Sequence, residues 1–412
     1  MLLPIYTFAI RIYGFLIRLA GPFNVKARQF RQGRQDALPS LGDHKSKRIW
    51  MHVSSLGEFE QARPVIEQLK AESADLDITL TFFSPSGYEV RKTYQAVDRV
   101  LYMPLDTPDA AKHFLAAIQP DLVLFVKYDF WINHLLVCFS QQIPVIFFSV
   151  ILRSDQIYFG VGSSLYLPVF RKVVRFFVQN ESSEKLLQTS GVKAVTVTGD
   201  TRLDRVVAIA QQAKELPILE SIKNDLPIVV LGSVWPSDIE FLLPWIERTR
   251  KQTRFVIAPH NTAKHDVTAM QEKLPKSTLY SELERVPNQE CSSILLIDNM
   301  GLLASIYAYA KYTYVGGAWR GALHNTVEPA AHGKPVFFGA HPKNRKFMEA
   351  GGLVQGGGAY EVSSLDELEL EIDRLEKDPD AYQTVCKNAK DYVSKNSGAS
   401  KIISEYVLTI IS

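Results

Sequence analysis

From Arg48 onward the apolar residues fall in short continuous runs, separated by stretches in which they recur every three or four positions. The runs at 48–55, 77–84, 100–105, 121–127, 145–151, 175–179 and 194–198 are β-branched and aromatic. They predict strands buried on both faces. Helical spacing lies between most of them, as at 58–71, 108–118 and 182–189. Strand and helix in alternation imply a parallel sheet covered by helices. A helical stretch at 208–223, broken by Pro217, interrupts the pattern. It then restarts with strands expected at 228–232, 255–259, 293–298, 312–316 and 335–338. The tail, 365–412, reads as mostly helical. The fold class expected is therefore α/β, with two Rossmann-like domains facing across a cleft and ligands bound beyond the carboxyl ends of the strands.

The first twenty residues follow a different pattern. Positions 2–21 are apolar over roughly the length that spans a bilayer, interrupted by Arg11 and Arg18 on one helical face. An arginine at mid-bilayer costs about 2.5–3.5 kcal/mol. A helix lying in the interface, its arginines toward headgroups, avoids that cost. Lys26, Arg28, Arg31 and Arg34 follow, and suit an anionic membrane surface. A helix buried against the protein's own core is the alternative. The expected divisions are 1–35 for attachment, 36–206 for a first domain, and 207–412 for a second domain with its helical tail.

Bulk composition narrows the classes. Of 412 residues, 46% are hydrophobic and 22% charged, which excludes a disordered chain. A net charge of +2 gives no general signal for nucleic acid. Cys138, Cys291 and Cys386 are scattered and odd in number, which favours a reducing compartment over a disulfide framework. No metal site is expected. Asp75-Leu76-Asp77 has an Asp-x-Asp spacing but precedes a strand, at the end away from the proposed cleft.

Candidate chemistry sits where the strands end. Ser54-Ser55-Leu56-Gly57-Glu58 turns from the first strand into a helix. Its glycine suits a tight turn, its serines suit an acceptor, and Glu58 in the first helical turn is a candidate general base or an ordinary first-turn glutamate. Lys127-Tyr128-Asp129-Phe130-Trp131-Ile132-Asn133 forms a polar and aromatic cluster, with Asp129 also readable as a helix cap. Gly199-Asp200-Thr201-Arg202 places an arginine where it could meet phosphate, or is a plain turn. In the second half, Gly232-Ser233 resembles a weak phosphate loop before a helix. Pro259-His260-Asn261 and Asp298-Asn299-Met300-Gly301 end two further strands.

Gly316-Gly317, followed by His324-Asn325-Thr326 and Glu328-Pro329, is the most specific segment. Two glycines allow close backbone approach. A helix is expected to start at His324, its amides ready for an anion, with Glu328 on the same face.

That last segment, continued as Ala330-Ala331-His332-Gly333-Lys334-Pro335-Val336, resembles the Kdo (3-deoxy-D-manno-octulosonic acid) transferases of Gram-negative lipopolysaccharide synthesis. The resemblance runs along nearly the whole chain, through Ser55-x-Gly57-Glu58, Trp131-x-Asn133, Gly199-Asp200, Gly232-Ser233 and Asp298-x-Met300-Gly301. It implies an inverting glycosyltransferase of the GT-B fold, working without metal or other cofactor, on the cytoplasmic face of the inner membrane. The implied donor is CMP-Kdo and the implied acceptor a lipid A precursor (lipid IVA). Glu58 is then the base. The donor side comprises Gly232, Ser233, His260, Met300, Gly301, Gly316, Gly317, His324, Asn325 and Glu328. The acceptor side comprises Ser54, Ser55, Gly57, Lys127, Asp129 and Arg202.

Two positions depart from the family pattern. Lys127 stands where the family has a glutamate, and Pro259-His260 lacks an intervening arginine, for which Arg202 or Arg320 would compensate. The competing readings are another GT-B enzyme using a UDP-sugar, as transferase or epimerase, and a non-catalytic nucleotide-sugar-binding membrane protein.

Overall fold

Every strand expected from the apolar runs is present, and all strand pairings in both sheets are parallel. The computed structural model describes residues 2–34, 38, 46–223, 226–286 and 290–412. The first sheet holds β1 (Arg48–Val53), β2 (Asp77–Phe82), β3 (Arg99–Tyr102), β4 (Leu122–Val126), β5 (Val145–Val150), β6 (Arg175–Val178) and β7 (Val195–Val197). Their order is β3-β2-β1-β4-β5-β6-β7. Alternate residues divide between two cores. Trp50, Phe125, Phe147 and Phe176 pack on one face, and Ile49, Met51, Leu124 and Ile146 on the other. Burial on both faces is why these strands read as unbroken apolar runs.

The second sheet holds β8 (Ile228–Val234), β9 (Arg254–Pro259), β10 (Ser277–Leu279), β11 (Ile294–Leu296), β12 (Tyr312–Val315), β13 (Val336–Gly339) and β14 (Ala359–Val362). Their order is β10-β11-β9-β8-β12-β13-β14. The sequence pattern does not predict β10 and β14. Both are sheet edges of three or four residues and only partly buried, and so carry no continuous apolar run. The strand order reverses between β1 and β4 in the first sheet and, at the matching central place, between β8 and β12 in the second. That reversal is where α/β sheets open a crevice for ligands.

The chain forms two compact units, Met1–Asp204 with Ser397–Ser412, and Arg205–Asn396. The expected second domain ran through to residue 412, but the last helix, Ala399–Ile411, belongs to the first unit. Its Ile403, Val407 and Ile411 complete the core beside β1 and β2. Asp204 fixes its start by accepting hydrogen bonds from the amides of Gly398 and Ser400. Helical periodicity identifies such a stripe but does not say which sheet it covers.

The N-terminal helix, Leu2–Ala20, packs on the first unit by one side only. Tyr6 donates to Asp106 at 2.6 Å, Thr7 bonds Asn133, and Gly14 lies against Leu105 so closely that a Cβ there would overlap it. The opposite stripe, Ile5, Phe8, Ile12, Phe15, Leu16 and Leu19, is exposed. Its spacing is that of one helix face, so burial in the protein's own core is excluded. Arg11 and Arg18 both turn toward the protein. Arg11 lies 4.0 Å from Asp109, and Arg18 lines a cavity.

Candidate active site

In the first unit, the loops after β1 and β4 flank the reversal point. Ser55 occupies the cap position of helix Leu56–Glu72, yet its hydroxyl does not bond the backbone. It donates instead to Glu58 Oε2 at 2.5 Å. Glu58 therefore sits in the first turn, where the helix dipole favours a carboxylate. Gly57 does not make the turn. It lies inside the helix, and a Cβ there would meet only Ser55 Oγ at 3.8 Å. The sharp change of direction falls on Ser54 and Ser55.

After β4, Lys127 takes a left-handed conformation (φ 58°), re-aiming the chain as it leaves the sheet. Asp129 does not cap the following helix, Ile132–Ser140. Asp106 does so from another loop, accepting from the amides of Asn133 (3.0 Å) and His134 (2.9 Å) and bonding His134 Nδ1 at 2.5 Å. Asn133 likewise serves structure, donating to the Asp106 carbonyl at 2.6 Å. This leaves the Asp129 side chain 16% exposed, with Oδ2 itself shielded and unpartnered among the described residues. Burial pushes its carboxyl up to about 7. The nearby Glu58 charge adds to the rise, while hydrogen bonding from Ser54 and the charge of Lys127 oppose it.

His52 Nε2 is 3.9 Å from Asp129 Oδ2, but the two form no ion pair. Burial holds the imidazole far below its usual range. Trp131 Nε1 donates to Nε2 at 3.0 Å, so the ring proton resides on Nδ1, 2.8 Å from Thr81 Oγ1. The result is two neighbouring carboxyls, one shielded and one at a helix start.

Arg202, expected to meet acceptor or phosphate, is turned onto Asp200, with Nε and Nη2 at 2.9 and 2.6 Å from Oδ2. Gln61 Nε2 also donates to Asp200. The pair closes a turn, as the plainer reading had it. Asp77 of the Asp-x-Asp motif is likewise engaged, with Arg48 and Arg99.

In the second unit the loops after β8, β9 and β12 converge. β8 continues through Ser233 (φ 54°) to Val234, so Gly232-Ser233 lies in a bulged strand end. Gly232 is required because Tyr307 packs over it, and a Cβ would overlap its hydroxyl. Gly316 plays a similar part. A Cβ would lie 2.6 Å from Ser233 O and 2.6 Å from Val234 Cα, so the glycine lets β12 approach the β8 loop. Gly317 has φ 89°, a left-handed conformation that glycine adopts without strain. Asp238 joins the two loops, its Oδ2 accepting from the amides of Trp235 (2.8 Å) and Gly317 (3.0 Å).

On this frame three rings stack. Trp235 and His260 lie 4.2 Å apart at 21°, and His260 and His324 lie 4.5 Å apart at 24°. Trp235 Nε1 donates to His324 Nε2 at 3.1 Å. Burial and the neighbouring His260 pull His324 down to about 4, so it is neutral at ordinary pH. The exposed Arg320 places its guanidinium 4.7 Å from the Trp235 ring centre, within cation–π range. A cavity of about 270 Å³ opens beside Trp235 and His260, extending to Asn261 and Met270.

The helix expected from His324 begins only at Val327 and ends at Ala331. His324, Asn325 and Thr326 precede it outside the helix, Thr326 at the cap position, and Asn325 Oδ1 accepts the Val327 amide at 3.2 Å. Asn325 Nδ2 also donates to Glu328 Oε1 at 2.9 Å. Burial raises the Glu328 carboxyl, while Asn325 and the charge of Arg205 lower it. Met300 is 85% exposed beside Gly301 (φ 85°), and Asp298 accepts the Ser281 amide at 3.0 Å.

Asp106 and Asp238, which position these loops, were not singled out from the sequence. Asp238 is three residues past Trp235, a capping-box spacing that signals the local bond. Nothing local signals the bond to Gly317.

Residues 26–205 match a family model described as 3-deoxy-D-manno-octulosonic-acid transferase (kdotransferase). The chain is 26% identical to the 3-deoxy-D-manno-octulosonic acid transferase of Haemophilus influenzae over 397 residues, covering 92% of this chain and 91% of that one. It is also 26% identical to the enzyme of the same description from Aquifex aeolicus, covering 79% and 85%. Among solved structures it is similar to UDP-GlcNAc 2-epimerase from Neisseria meningitidis, with a TM-score of 0.61 at 17% identity, covering 88% of this chain and all of that one. That last likeness concerns the fold, which is GT-B.

Proposed function

We propose that this chain is a glycosyltransferase of the 3-deoxy-D-manno-octulosonic-acid (Kdo) transferase family, and that it moves Kdo from CMP-Kdo to a lipid A precursor at a membrane surface. The observation that carries the chemistry is Glu58. It sits in a first helical turn at the point where the first sheet's strand order reverses, its carboxylate steadied by Ser55.

In this reading Glu58 removes the proton from an acceptor hydroxyl, whose oxygen attacks the anomeric carbon of Kdo with inversion as CMP departs. Asp129 lies behind Glu58 and is half-protonated near pH 7. Below that pH it is neutral and leaves Glu58 free of a like charge. The donor is assigned to the second unit. Arg320, standing on Trp235, takes the phosphate as a charge-assisted partner. The ring stack of Trp235, His260 and His324 offers a flat wall beside it. Glu328, with Asn325, suits a sugar hydroxyl.

The exposed stripe of helix Leu2–Ala20 supports attachment in the interface. Tyr6, Thr7 and Gly14 are held along the body of the first unit, which argues against a lone spanning helix. Attachment at the cytoplasmic face of the inner membrane brings the enzyme to an acceptor whose acyl chains stay in the bilayer.

The test is mass analysis of a lipid A precursor incubated with CMP-Kdo and the protein. A Kdo-extended lipid is expected from wild type and none from Glu58→Gln, whose CMP-Kdo binding is retained. Turnover kept by Glu58→Gln but lost by Asp129→Asn would move the base to Asp129.

A further inference from the structure

Away from these loops, the first unit contains a second concentration of positive charge. Helix Leu2–Ala20, helix Val25–Gln32 and the loop carrying Leu105 enclose a cavity of about 450 Å³. Ile17, Phe30 and Leu105 form apolar walls, and Arg18, Arg31 and Arg34 supply the polar ones. Among the described residues, no carboxylate lines it.

The three arginines differ in kind. Arg34 is built in, donating to the carbonyls of Met103 (2.7 Å), Phe30 (3.1 Å) and Phe83 (2.7 Å), with its guanidinium 3.5 Å from the Phe30 ring centre. Burial lowers it to about 9, so it stays charged at neutral pH. Its neighbours among the groups that shift it are Tyr102 and Tyr13, not acids. Arg18 and Arg31 are exposed, and among the described residues neither side chain has a hydrogen bond or ion pair. Three guanidiniums around one apolar-walled cavity, with no acid among its described lining residues, repel one another until an anion enters.

The surroundings indicate which anion. Phe15, Leu16 and Leu19 flank Arg18 on the same turns of the helix and are exposed. Phe23 and Val25 extend the apolar surface across to the next helix. An occupant must therefore be anionic at the cavity and apolar beside it. We propose that this cavity binds the phosphate group of a bilayer phospholipid, with Arg18 and Arg31 as its forks and Arg34 as a fixed charge behind them. Guanidinium matches phosphate oxygens in bidentate fashion, which a point charge does not. The inference rests on the interfacial attachment proposed above and adds a defined headgroup site to it.

The experiment is co-sedimentation of the full chain with phosphatidylcholine vesicles, with and without phosphatidylglycerol. Wild type is compared with R18Q/R31Q and with K26Q/R28Q. The second pair removes the same charge from the same short helical region but lies outside the cavity. Generic attraction weakens both double variants alike and fades as salt shortens the screening length. The cavity site instead requires R18Q/R31Q to lose roughly tenfold more affinity than K26Q/R28Q, with a difference persisting at raised salt. Equal losses overturn the cavity while leaving attachment intact. Absence of wild-type binding to any vesicle overturns attachment and the cavity together. Vesicle binding unchanged in R18Q/R31Q, with transfer to a phosphorylated lipid acceptor lost, overturns the phospholipid assignment in favour of the acceptor's own phosphate. Unchanged thermal unfolding of both variants shows that the comparison concerns binding and not folding.

Discussion

The loops at the two strand-order reversals occupy equivalent places in two similar sheets, yet carry opposite chemistry. After β1 and β4 the chain sets out carboxyls, Glu58 on a helix start and the mostly shielded Asp129 near it. After β8, β9 and β12 it sets out stacked rings and an exposed arginine. Each sheet supplies the same crevice, and in the proposed reading the side chains there decide whether it handles protons or anions. Even the supporting aspartates differ in task. Asp106 fixes a helix start in the first unit, whereas Asp238 ties two loops together in the second.

The sharpest way to break this contrast is Glu58→Gln. General-base removal is expected to lower turnover about 10²- to 10⁴-fold with donor affinity unchanged, read by single-turnover kinetics and CMP-Kdo titration. A matching loss of donor affinity would erase the division of labour between the units.

Next in size is the pH dependence of stability at Asp129. Its folded carboxyl, at about 7, keeps a proton that the unfolded chain releases near 3.8. The native state therefore binds more protons across that window, and wild-type stability falls as pH rises through it, levelling above 7. Asp129→Asn removes this fall. The variant is expected to gain on wild type with rising pH by up to ~4 kcal/mol, seen in urea unfolding at a series of pH values. Parallel curves would mean that Asp129 ionises freely.

Asp238→Ala leaves the buried amides of Trp235 and Gly317 without their acceptor. A loss of about 2–4 kcal/mol is expected by the same measurement. Donor affinity should fall with it, because Trp235 and Gly317 carry the ring stack and the β12 loop.

Arg320→Gln should weaken CMP-Kdo binding about tenfold or more by calorimetry, in line with one charge-assisted hydrogen bond. Arg202→Gln should leave donor affinity unchanged, since its guanidinium is engaged by Asp200. The reverse result would return the phosphate to Arg202.

Much of this protein was legible in the chain. Strands buried on both faces must be apolar throughout, so the ten interior strands announced themselves, whereas of the four half-wet edges β3 and β7 were legible and β10 and β14 were not. Glu58 was legible because a polar residue directly after such a run has to lie at the strand's open end. The exposed stripe of helix Leu2–Ala20 was implied by its length and by its two arginines.

Tertiary structure alone decided the rest. Whether Arg202 or Arg320 stays available depended on Asp200 standing beside one and Trp235 beside the other. Gly232 and Gly316, read in the sequence as ligand contacts, also serve as clearances for Tyr307 and for the β8 loop. The last helix covers the first sheet rather than the second. Three arginines spread over seventeen residues meet in one cavity because two helices and a loop fold around it. Local periodicity and turn chemistry are short-range and are written in neighbouring residues. Pairing and clearance depend on which side chain arrives from far along the chain, and that is fixed only once the sheets have formed.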